Sequence, residues 1–211
     1  SGDWSSDVCS SDLIYVLAGD GCVMEGISSE VGSLAGHLKL DNLIVFYDSN
    51  DICLDGPTDE CFSEDTAKRF EAYGWDVATI DGHDFDAIET AVQNAKAAKG
   101  KPSLIIAKTI IGKGSPKYEG TSDVHGKALG ADETIKTKEN LGIPTDQPFY
   151  VPESVKTYFE NKQSTQADTE AKFQEDFKNW ANNNPEESQK WTLFKNNQLP
   201  ENIEEQLKSL Q

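Results

Sequence analysis

Two clusters of polar residues in this chain each follow directly on a short apolar run. The run 14–18 leads into the Gly-Asp-Gly triplet 19–21, and the run 43–47 leads into the Asp-Ser-Asn sequence 48–50. Short runs rich in β-branched and aromatic residues, bounded by Gly, Asp and Asn, are typical of buried strands. A carboxylate and a carboxamide are hard oxygen ligands, which suit Mg²⁺ or Ca²⁺ better than zinc or copper. The two clusters therefore predict a divalent-metal site at the ends of two strands.

The segment between the clusters is predicted to form a helix over 25–39, long enough to connect two parallel strands. Asp20 and Asn50 would then lie together at the carboxyl ends of neighbouring strands, where open α/β sheets bind ligands. Gly21 lets the backbone approach a ligand at the start of the helix, where amide groups favour an anion. Because Mg²⁺ usually takes some ligands from phosphates, the pattern predicts a metal-bridged phosphate or diphosphate site. The helix has one apolar face, formed by Ile27, Val31, Leu34, Ala35 and Leu38.

These clusters also have two simpler interpretations. A Gly-Asp-Gly triplet is also common in turns that bind nothing. A calcium-binding EF-hand loop starting at Asp48 would need an oxygen ligand at its fifth position and Gly at its sixth. Those positions hold Ile52 and Cys53, so the EF-hand interpretation is excluded.

Further strands and helices alternate along the chain, which predicts an α/β fold with a parallel sheet and helices on both faces. A long loop over 109–130 follows the last strand and carries His125. Ordered loops of this length are often functional, although a lone histidine in a polar loop can also be simply solvated. The predicted elements are a helix over 64–73 with Ser63 as N-cap candidate, a strand over 76–80, a helix that Asp84 caps and that ends by Gly100, and a strand over 103–108.

The chain is predicted to divide into three parts. Residues 1–13 are rich in Ser and Asp and lack periodicity, so we expect a foreign or unstructured leader. Residues 14–141 carry the alternating pattern of the partial α/β domain. Residues 142–211 form a helical extension and a linker towards a missing domain. The extension has predicted helices over 153–163, 168–183 and 187–197, a last segment over 203–210, and a packing stripe of Phe173, Phe177 and Trp180.

Composition excludes several classes of partner. The formal net charge is −18, with a sequence pI of about 4.4, which argues against nucleic acid and anionic membrane surfaces. No run approaches the ~20 apolar residues of a membrane span, and no signal peptide is visible. We therefore expect a soluble, cytoplasmic protein. None of the four cysteines, Cys9, Cys22, Cys53 and Cys61, falls in a C-x-x-C pair. Cys22 and Cys53 both follow site residues and could lie near each other, and free buried thiols are expected for them rather than a disulfide.

The wider sequence resembles the transketolases. A Gly-Asp-Gly triplet, a long spacer and then Asn, here Asn50, is the motif shared by all thiamine diphosphate enzymes. The longer matching strings are specific to transketolases. They are residues 25–30, 33–36, 39–40, 69–75, 81–84, 101–104, 108–112 and 125–126, so the similarity covers about Ile14 to Leu141.

The resemblance implies a thiamine diphosphate site with a divalent metal, Mg²⁺ or Ca²⁺. The metal ligands would be the side chains of Asp20 and Asn50 and the backbone carbonyl of Ile52. His125 would be catalytic, close to the reactive ring of the cofactor and to the substrate sugar. The residues implied to bind the cofactor are Gly19, Asp20, Gly21, Glu25, Asn50, Ile52 and His125.

The resemblance also implies partners and a reaction for the parent enzyme. It would be a homodimer that transfers a two-carbon ketol unit between sugar phosphates in the pentose phosphate pathway. Glu25 and Glu30 match acidic residues that lie near the dimer interface of the family. A second histidine, usual three residues before the one matching His125, is replaced by Ser122, which would tune activity rather than define it. The groups that activate the cofactor ring lie outside this chain, so we expect the fragment alone to be inactive.

Two alternatives to a transketolase fragment remain open at the level of sequence. One is another thiamine diphosphate enzyme, such as a deoxyxylulose phosphate synthase or a ketoacid dehydrogenase subunit, although the strings 69–75 and 108–112 argue against it. The other is a non-catalytic fragment that keeps the fold and binds no cofactor. Titration with thiamine diphosphate and Mg²⁺ would separate this last possibility from the first.

Overall fold

The computed structural model describes residues 13–209, in two compact units that meet in sequence at Tyr150 and Val151. The described part of the first unit contains a sheet of four parallel strands in the order β1-β2-β4-β3. Parallel strands joined by helices are what the alternating sequence pattern predicts. The strands are β1 (Ile14–Gly19), β2 (Leu43–Ser49), β3 (Asp76–Asp81) and β4 (Ser103–Lys108).

The helices of the first unit largely follow the predicted order. The helix expected over 25–39 is present, but a separate five-residue helix precedes it, and the two are divided by extended backbone at Glu25 (φ −64°, ψ 138°). One helix was not predicted, because its sequence carries a single large apolar residue, Ile135, and so has no apolar stripe. The helices are α1 (Asp20–Met24), α2 (Gly26–Leu38), α3 (Thr66–Ala72), α4 (Phe85–Ala97) and α5 (Ala131–Asn140).

The core lies on both faces of the sheet, since strand side chains alternate between the two faces. On one face Leu104 and Ile106 of β4 belong to a buried cluster with Phe70 of α3. On the other face Ile105 of β4 packs in a cluster with Ala91 of α4. The prediction of helices on both faces is therefore confirmed.

Helix α2 packs through its small residues rather than through its large apolar ones. Gly32 and Ala35 are buried, and the carbonyl of Gly32 accepts a hydrogen bond of 2.8 Å from the indole nitrogen of Trp75. A Cβ atom at Gly36 would lie 1.9 Å from the carbonyl oxygen of Tyr73. The other members of the predicted apolar face are exposed: Ile27, Val31, Leu34 and Leu38.

The two predicted N-caps have different outcomes. Asp84 caps α4 as expected, because its carboxylate accepts from the backbone amides of Asp86 and Ala87. The prediction of Ser63 as the cap of α3 is wrong. Asp65 takes that position and accepts from the amide of Lys68 at 3.1 Å. Aspartate caps as well as serine does, and here it adds an ion pair of 2.7 Å to the Lys68 ammonium group.

The second unit consists of helices α6 (Glu153–Asn183), α7 (Pro185–Lys195) and α8 (Ile203–Lys208). The prediction of separate helices over 153–163 and 168–183 is wrong, because α6 runs through both without a break. The aromatic stripe is a packing face as expected. The ring of Phe177 lies 5.5 Å from that of Trp180 and 6.4 Å from that of Trp191 on α7. Among the helices of residues 13–209, none combines the length and apolar character that a membrane span requires.

The thiols within residues 13–209 are free but not buried. Cys22 and Cys61 are exposed, and Cys53 is half-buried. The expectation of free thiols is therefore confirmed for Cys22 and Cys53, while the expectation that they are buried is wrong. Cys9, like nearly all of the predicted leader over 1–13, lies outside the described residues.

Candidate functional site

The register of the first two strands brings the polar clusters together. Gly19 at the end of β1 lies opposite Asp48 of β2 in the parallel ladder. Just beyond this pair, the backbone amide of Asn50 donates a hydrogen bond of 3.0 Å to Oδ2 of Asp20. The predicted meeting of Asp20 and Asn50 at the carboxyl edge of the sheet is therefore confirmed.

Asp20 is a buried carboxylate held by two donors. Its side chain is 4 % exposed, and Oδ1 accepts a hydrogen bond of 2.6 Å from the hydroxyl of Tyr47. Burial, followed by this bond to Asp20, raises the pKa of Tyr47 far above its ordinary value, so the hydroxyl stays a donor at neutral pH. The amide of Asn50 and the hydroxyl of Tyr47 thus fix the carboxylate in one orientation.

The loop after β2 turns back on itself directly beyond Asn50. The side-chain carbonyl of Asn50 accepts from the amide of Ile52 at 3.1 Å. Asp51 between them has a left-handed backbone with φ 62°, and Ile52 pairs with Pro57 in an isolated antiparallel bridge. This turn returns the chain to the carboxyl edge, so Ile52 lies beside the residues that it follows.

An open cleft of about 550 Å³ lies at this edge. Every site residue predicted from the sequence lines it, although these residues come from three separate parts of the chain. They are Gly19, Asp20, Gly21, Glu25, Asn50, Ile52 and His125. The geometry brings them together, and the roles assigned to them remain predictions.

His125 reaches the cleft from the end of a single 3₁₀ turn, Ser122–Val124. Its backbone amide donates to the carbonyl of Ser122 at 3.0 Å. The ring nitrogen Nδ1 is buried, yet no group within residues 13–209 forms a hydrogen bond with it. Buried polar atoms are rarely left without a partner, so this nitrogen is suited to contact a bound molecule.

The loop that carries His125 is anchored at two points ahead of this residue. Near its start, the amide of Ile110 donates to Nε2 of His83 at 3.0 Å. Further along, Ser115 and the amide of Lys117 both donate to Oε1 of Glu133 on α5, at 2.6 and 2.7 Å. These bonds lower the pKa of Glu133, first through the Ser115 hydroxyl and then through the Lys117 amide. A loop anchored in this way can hold a histidine at a fixed place in the cleft.

The glycines of the first cluster have no packing reason to be glycine. A Cβ atom at Gly19 or at Gly21 would meet no atom within 4 Å, and neither residue has a positive φ. Glycine at such positions leaves room for a ligand to approach the backbone. The amide of Gly21 belongs to the short helix α1, however, and not to the start of the long helix as expected.

The charge of the cleft requires a cation before an anion can bind. Asp20, Glu25 and Asp48 all line it, and no lysine or arginine is among the described residues that do so. A diphosphate would be repelled by these carboxylates unless a divalent ion lay between them. Carboxylate, amide and carbonyl oxygens at Asp20, Asn50 and Ile52 are the hard ligands that Mg²⁺ and Ca²⁺ prefer. The residues present therefore fit a metal-bridged diphosphate.

Residues 13–209 contain no cluster of three or more His, Cys, Asp or Glu side chains placed to hold a metal. A metal here would depend on the neutral oxygens of Asn50 and Ile52 beside the single carboxylate of Asp20. Such a ligand set leaves coordination positions of the metal open for phosphate oxygens and water, as is usual for Mg²⁺.

Sequence reasoning missed three residues of the site. Tyr47 holds Asp20, Asp48 accepts from the hydroxyl of Thr109, and Ile111 lines the cleft. Tyr47 and Asp48 are neighbours at the end of β2. This position could have indicated from the sequence that both belong to the site, because the ends of the strands border it. Their partners, Asp20 and Thr109, are the residues that directly follow β1 and β4, and the strand order β1-β2-β4 brings them together.

The comparisons with known proteins agree with one another. Residues 5–200 match the family model described as the thiamine diphosphate binding domain of transketolase. Transketolase 1 of Escherichia coli (strain K12) is 46 % identical over 195 residues, which cover 92 % of this chain and 29 % of that protein. A probable transketolase of Streptococcus pneumoniae serotype 4 is 54 % identical over 142 residues, covering 67 % of this chain and 21 % of that protein.

Solved structures give the same result for the fold. A transketolase variant from Pichia stipitis in complex with fructose 6-phosphate superposes with a TM-score of 0.75 at 38 % identity, covering 90 % of this chain and 28 % of that one. The transketolase of the same organism in complex with sedoheptulose 7-phosphate gives the same values. The chain thus spans less than a third of the length of these relatives. With a family model that matches residues 5–200 and this level of identity, the chain belongs to the transketolase family.

Proposed function

We propose that this chain binds the diphosphate end of thiamine diphosphate through a divalent metal ion. The observation that carries the proposal is the convergence of Asp20, Asn50 and Ile52 on one cleft that Gly21 leaves open. The family model describes a thiamine diphosphate binding domain, which supports the choice of cofactor. The acidic lining of the cleft supports the metal.

In this proposal each residue has a separate task. The carboxylate of Asp20, the amide oxygen of Asn50 and the carbonyl of Ile52 hold Mg²⁺ or Ca²⁺. Gly19 and Gly21 let the diphosphate approach the backbone, and Glu25 borders the same cleft. His125 uses its unpartnered Nδ1 to hydrogen-bond the cofactor or the substrate sugar, and so orients the reacting groups.

For the complete enzyme we propose transfer of a two-carbon ketol unit between sugar phosphates. When bound, thiamine diphosphate supplies the electron sink for this chemistry. Two related transketolase structures in complex with fructose 6-phosphate and sedoheptulose 7-phosphate support the substrate class. A homodimer remains a prediction from the sequence resemblance, and a cytoplasmic location remains a prediction from the composition.

We further propose that this chain alone does not catalyse the reaction. It spans 29 % of the length of a full transketolase, and the groups that would activate the cofactor ring are not among the residues placed in the cleft. Measurable ketol transfer between sugar phosphates by the purified chain would contradict this part of the proposal.

Calorimetric titration with thiamine diphosphate tests the binding proposal directly. We expect binding in the presence of Mg²⁺ and at least about tenfold weaker binding in excess chelator, because the carboxylates then repel the diphosphate. Asp20→Asn should remove most of the metal dependence. Asp146→Asn is the matched control, since Asp146 is exposed and distant in sequence from the site residues.

Two outcomes of this titration would contradict the proposal. One is binding that does not depend on Mg²⁺, and the other is equal affinity of the Asp20→Asn and Asp146→Asn variants. No binding at millimolar cofactor would instead favour the non-catalytic interpretation of the isolated chain. Circular dichroism of each variant shows whether the fold is retained.

A further inference from the structure

The guanidinium group of Arg69 joins three helices at the point where α1 ends and α2 begins. Its Nη2 donates a hydrogen bond of 2.8 Å to the carbonyl of Val23, in the last turn of α1. Its Nη1 donates a hydrogen bond of 2.7 Å to the hydroxyl of Ser29 on α2. Arg69 itself belongs to α3, 46 and 40 positions after these two partners. One planar group thus fastens two separate helices to a third.

The break between α1 and α2 needs donors from outside the two helices. The last carbonyls of a helix have no partner within it, and the backbone at Glu25 is extended. The hydroxyl of Ser28 lies 3.0 Å from the carbonyl of Val23 and 2.8 Å from that of Glu25. A hydroxyl has one hydrogen and can donate fully to only one of them. Arg69 supplies the further donor at Val23.

The guanidinium group is itself held in place. Its side chain is only 13 % exposed, and Nε forms an ion pair with the carboxylate of Glu64. The ring centroid of Phe70 lies 5.2 Å from Cζ. Phe70 and Val23 belong to the same buried cluster. The charge is therefore paired and packed, so the two hydrogen bonds to α1 and α2 have a fixed origin.

Helix α1 connects this clamp to the candidate site. The helix begins at Asp20 and is followed by Glu25, and both residues line the cleft. Arg69 is not among the described residues that line it. Because α1 is only about one and a half turns long, a displacement of its last turn also moves its first residue. So short a helix has little stability of its own with which to resist such a movement.

We propose that Arg69 is a positioning residue for the diphosphate site. It fixes the break between α1 and α2, and through this break it fixes the places of Asp20 and Glu25 in the cleft, without contacting cofactor or metal. The inference rests on the proposed function of the cleft, since it concerns the affinity of that site. Loss of the planar fork should therefore weaken cofactor binding although every residue of the cleft is unchanged.

Calorimetric titration of three variants with thiamine diphosphate and Mg²⁺ tests the proposal. Arg69→Lys keeps the charge that pairs with Glu64, but its compact ammonium group does not reproduce the fork. Ser29→Ala removes only the acceptor on α2, and alanine is the better helix former. We expect binding to weaken by about tenfold or more in Arg69→Lys and by about threefold or more in Ser29→Ala. Ser29→Thr keeps the hydroxyl and should bind within about twofold of the parent chain.

The variant Ala95→Gly is the control for a purely structural role. Ala95 is 3 % exposed on α4, in the core cluster on the other face of the sheet. Its replacement lowers the stability of the first unit without touching the break, so binding should stay within about twofold of that of the parent chain. Equal weakening by Ala95→Gly and Arg69→Lys would overturn the proposal. So would parent-like affinity of Arg69→Lys.

Hydrogen exchange without cofactor separates failure of this inference from failure of the proposed function. In Arg69→Lys the backbone amides of α1 and of the first turn of α2 should exchange about tenfold faster than in the parent chain, relative to the amides of β4. Unchanged relative exchange would overturn the inference. If the parent chain shows no Mg²⁺-dependent binding, the proposed function fails, and the exchange measurement alone decides whether Arg69 fixes the break. Where Arg69→Lys does not fold, Ser29→Ala and Ser29→Thr decide the same question.

Discussion

The hydroxyl of Tyr47 is the residue-scale feature that orients the carboxylate proposed as a metal ligand. It donates to Asp20 at 2.6 Å, and both side chains are buried, at 5 % and 4 % exposed. Partners that hydrogen-bond a metal ligand fix its orientation and influence affinity almost as much as the ligand itself. Tyr47 is therefore expected to act on the metal through Asp20 without contacting it.

Replacement of Tyr47 by Phe tests this role. Asp20 loses one of its two donors, so Mg²⁺-dependent binding of thiamine diphosphate should weaken by about tenfold or more, and the free energy of unfolding should fall by about 2 kcal/mol. Calorimetric titration and urea denaturation measure the two effects. Tyr15→Phe is the control, since Tyr15 is 47 % exposed on β1. Equal cofactor affinity of the two variants would contradict the role of Tyr47.

Glu133 gives the chain a pH dependence that can be measured. Its folded-state pKa lies below the ordinary value of 4.5 because the Ser115 hydroxyl and the Lys117 amide bond to the carboxylate. A carboxyl group with a lowered folded-state pKa stabilises the fold above the unfolded-state pKa. That contribution is lost as the pH falls through the folded-state value. Stability should therefore decline on acidification below about pH 4.5.

The variant Glu133→Gln isolates this contribution. It should be less stable than the parent chain at neutral pH, and the difference should shrink as the pH falls below the unfolded-state pKa. Urea denaturation at a series of pH values checks this. Glu139→Gln, in the same helix α5 but exposed, is the matched control. A stability difference that does not change with pH would show that the carboxylate charge plays no part.

At the residue scale the sequence located the residues that meet in the cleft, but not the groups that hold them in place. Asp20 and Asn50 could be found because each follows an apolar run, and strand ends of a parallel sheet converge. Tyr47 could not be assigned to Asp20, since that contact depends on which strands are neighbours. Glu133 was equally hidden, because its partner Ser115 lies 18 positions earlier in the chain.

At the scale of elements, helix α2 shows how small residues determine packing. The glycines that weaken its helix propensity allow it to approach the segment around Tyr73 and Trp75. A residue with a Cβ atom at position 36 would collide with the Tyr73 carbonyl, at 1.9 Å. The sequence pattern correctly predicted the helix but not this contact face, because periodicity favoured the larger residues Ile27 and Val31.

Replacement of Gly36 by Ala is expected to destabilise the first unit by about 1–3 kcal/mol, because the backbone of α2 or of the turn at Tyr73 must shift. Gly26→Ala, at the first position of the same helix, is the matched control. A Cβ atom there meets nothing within 4 Å, so the change should be neutral or slightly stabilising. Thermal or urea denaturation compares the two. Equal stability of the variants would contradict the packing argument.

Helix α6 shows why element boundaries were harder to predict than elements. Two helices were expected, over 153–163 and 168–183, with residues 164–167 between them. No glycine or proline interrupts the sequence between Glu153 and Asn183, however. Without such a residue the backbone hydrogen bonds continue through the polar stretch, so the helix remains whole.

For the whole molecule, the division at Tyr150 separates the candidate site from the helical extension. Every residue that lines the cleft belongs to the first unit, and the two core clusters lie within it as well. The aromatic contacts of α6 with α7 are internal to the second unit. Each unit thus holds its own packing contacts, which is the usual condition for independent folding.

We therefore expect a chain shortened to end at Tyr150 to keep Mg²⁺-dependent thiamine diphosphate binding, with an affinity within about threefold of that of the full chain. Removal of residues 151–211 deletes no group of the cleft and no member of either core cluster, so neither the site nor its support changes. Calorimetric titration of both chains measures the affinity, and circular dichroism confirms the fold of the shorter one. A shortened chain that folds but binds the cofactor much more weakly would show that the second unit contributes to the site. In that event the position of Asp20 and Asn50 at the sheet edge would not be sufficient for binding.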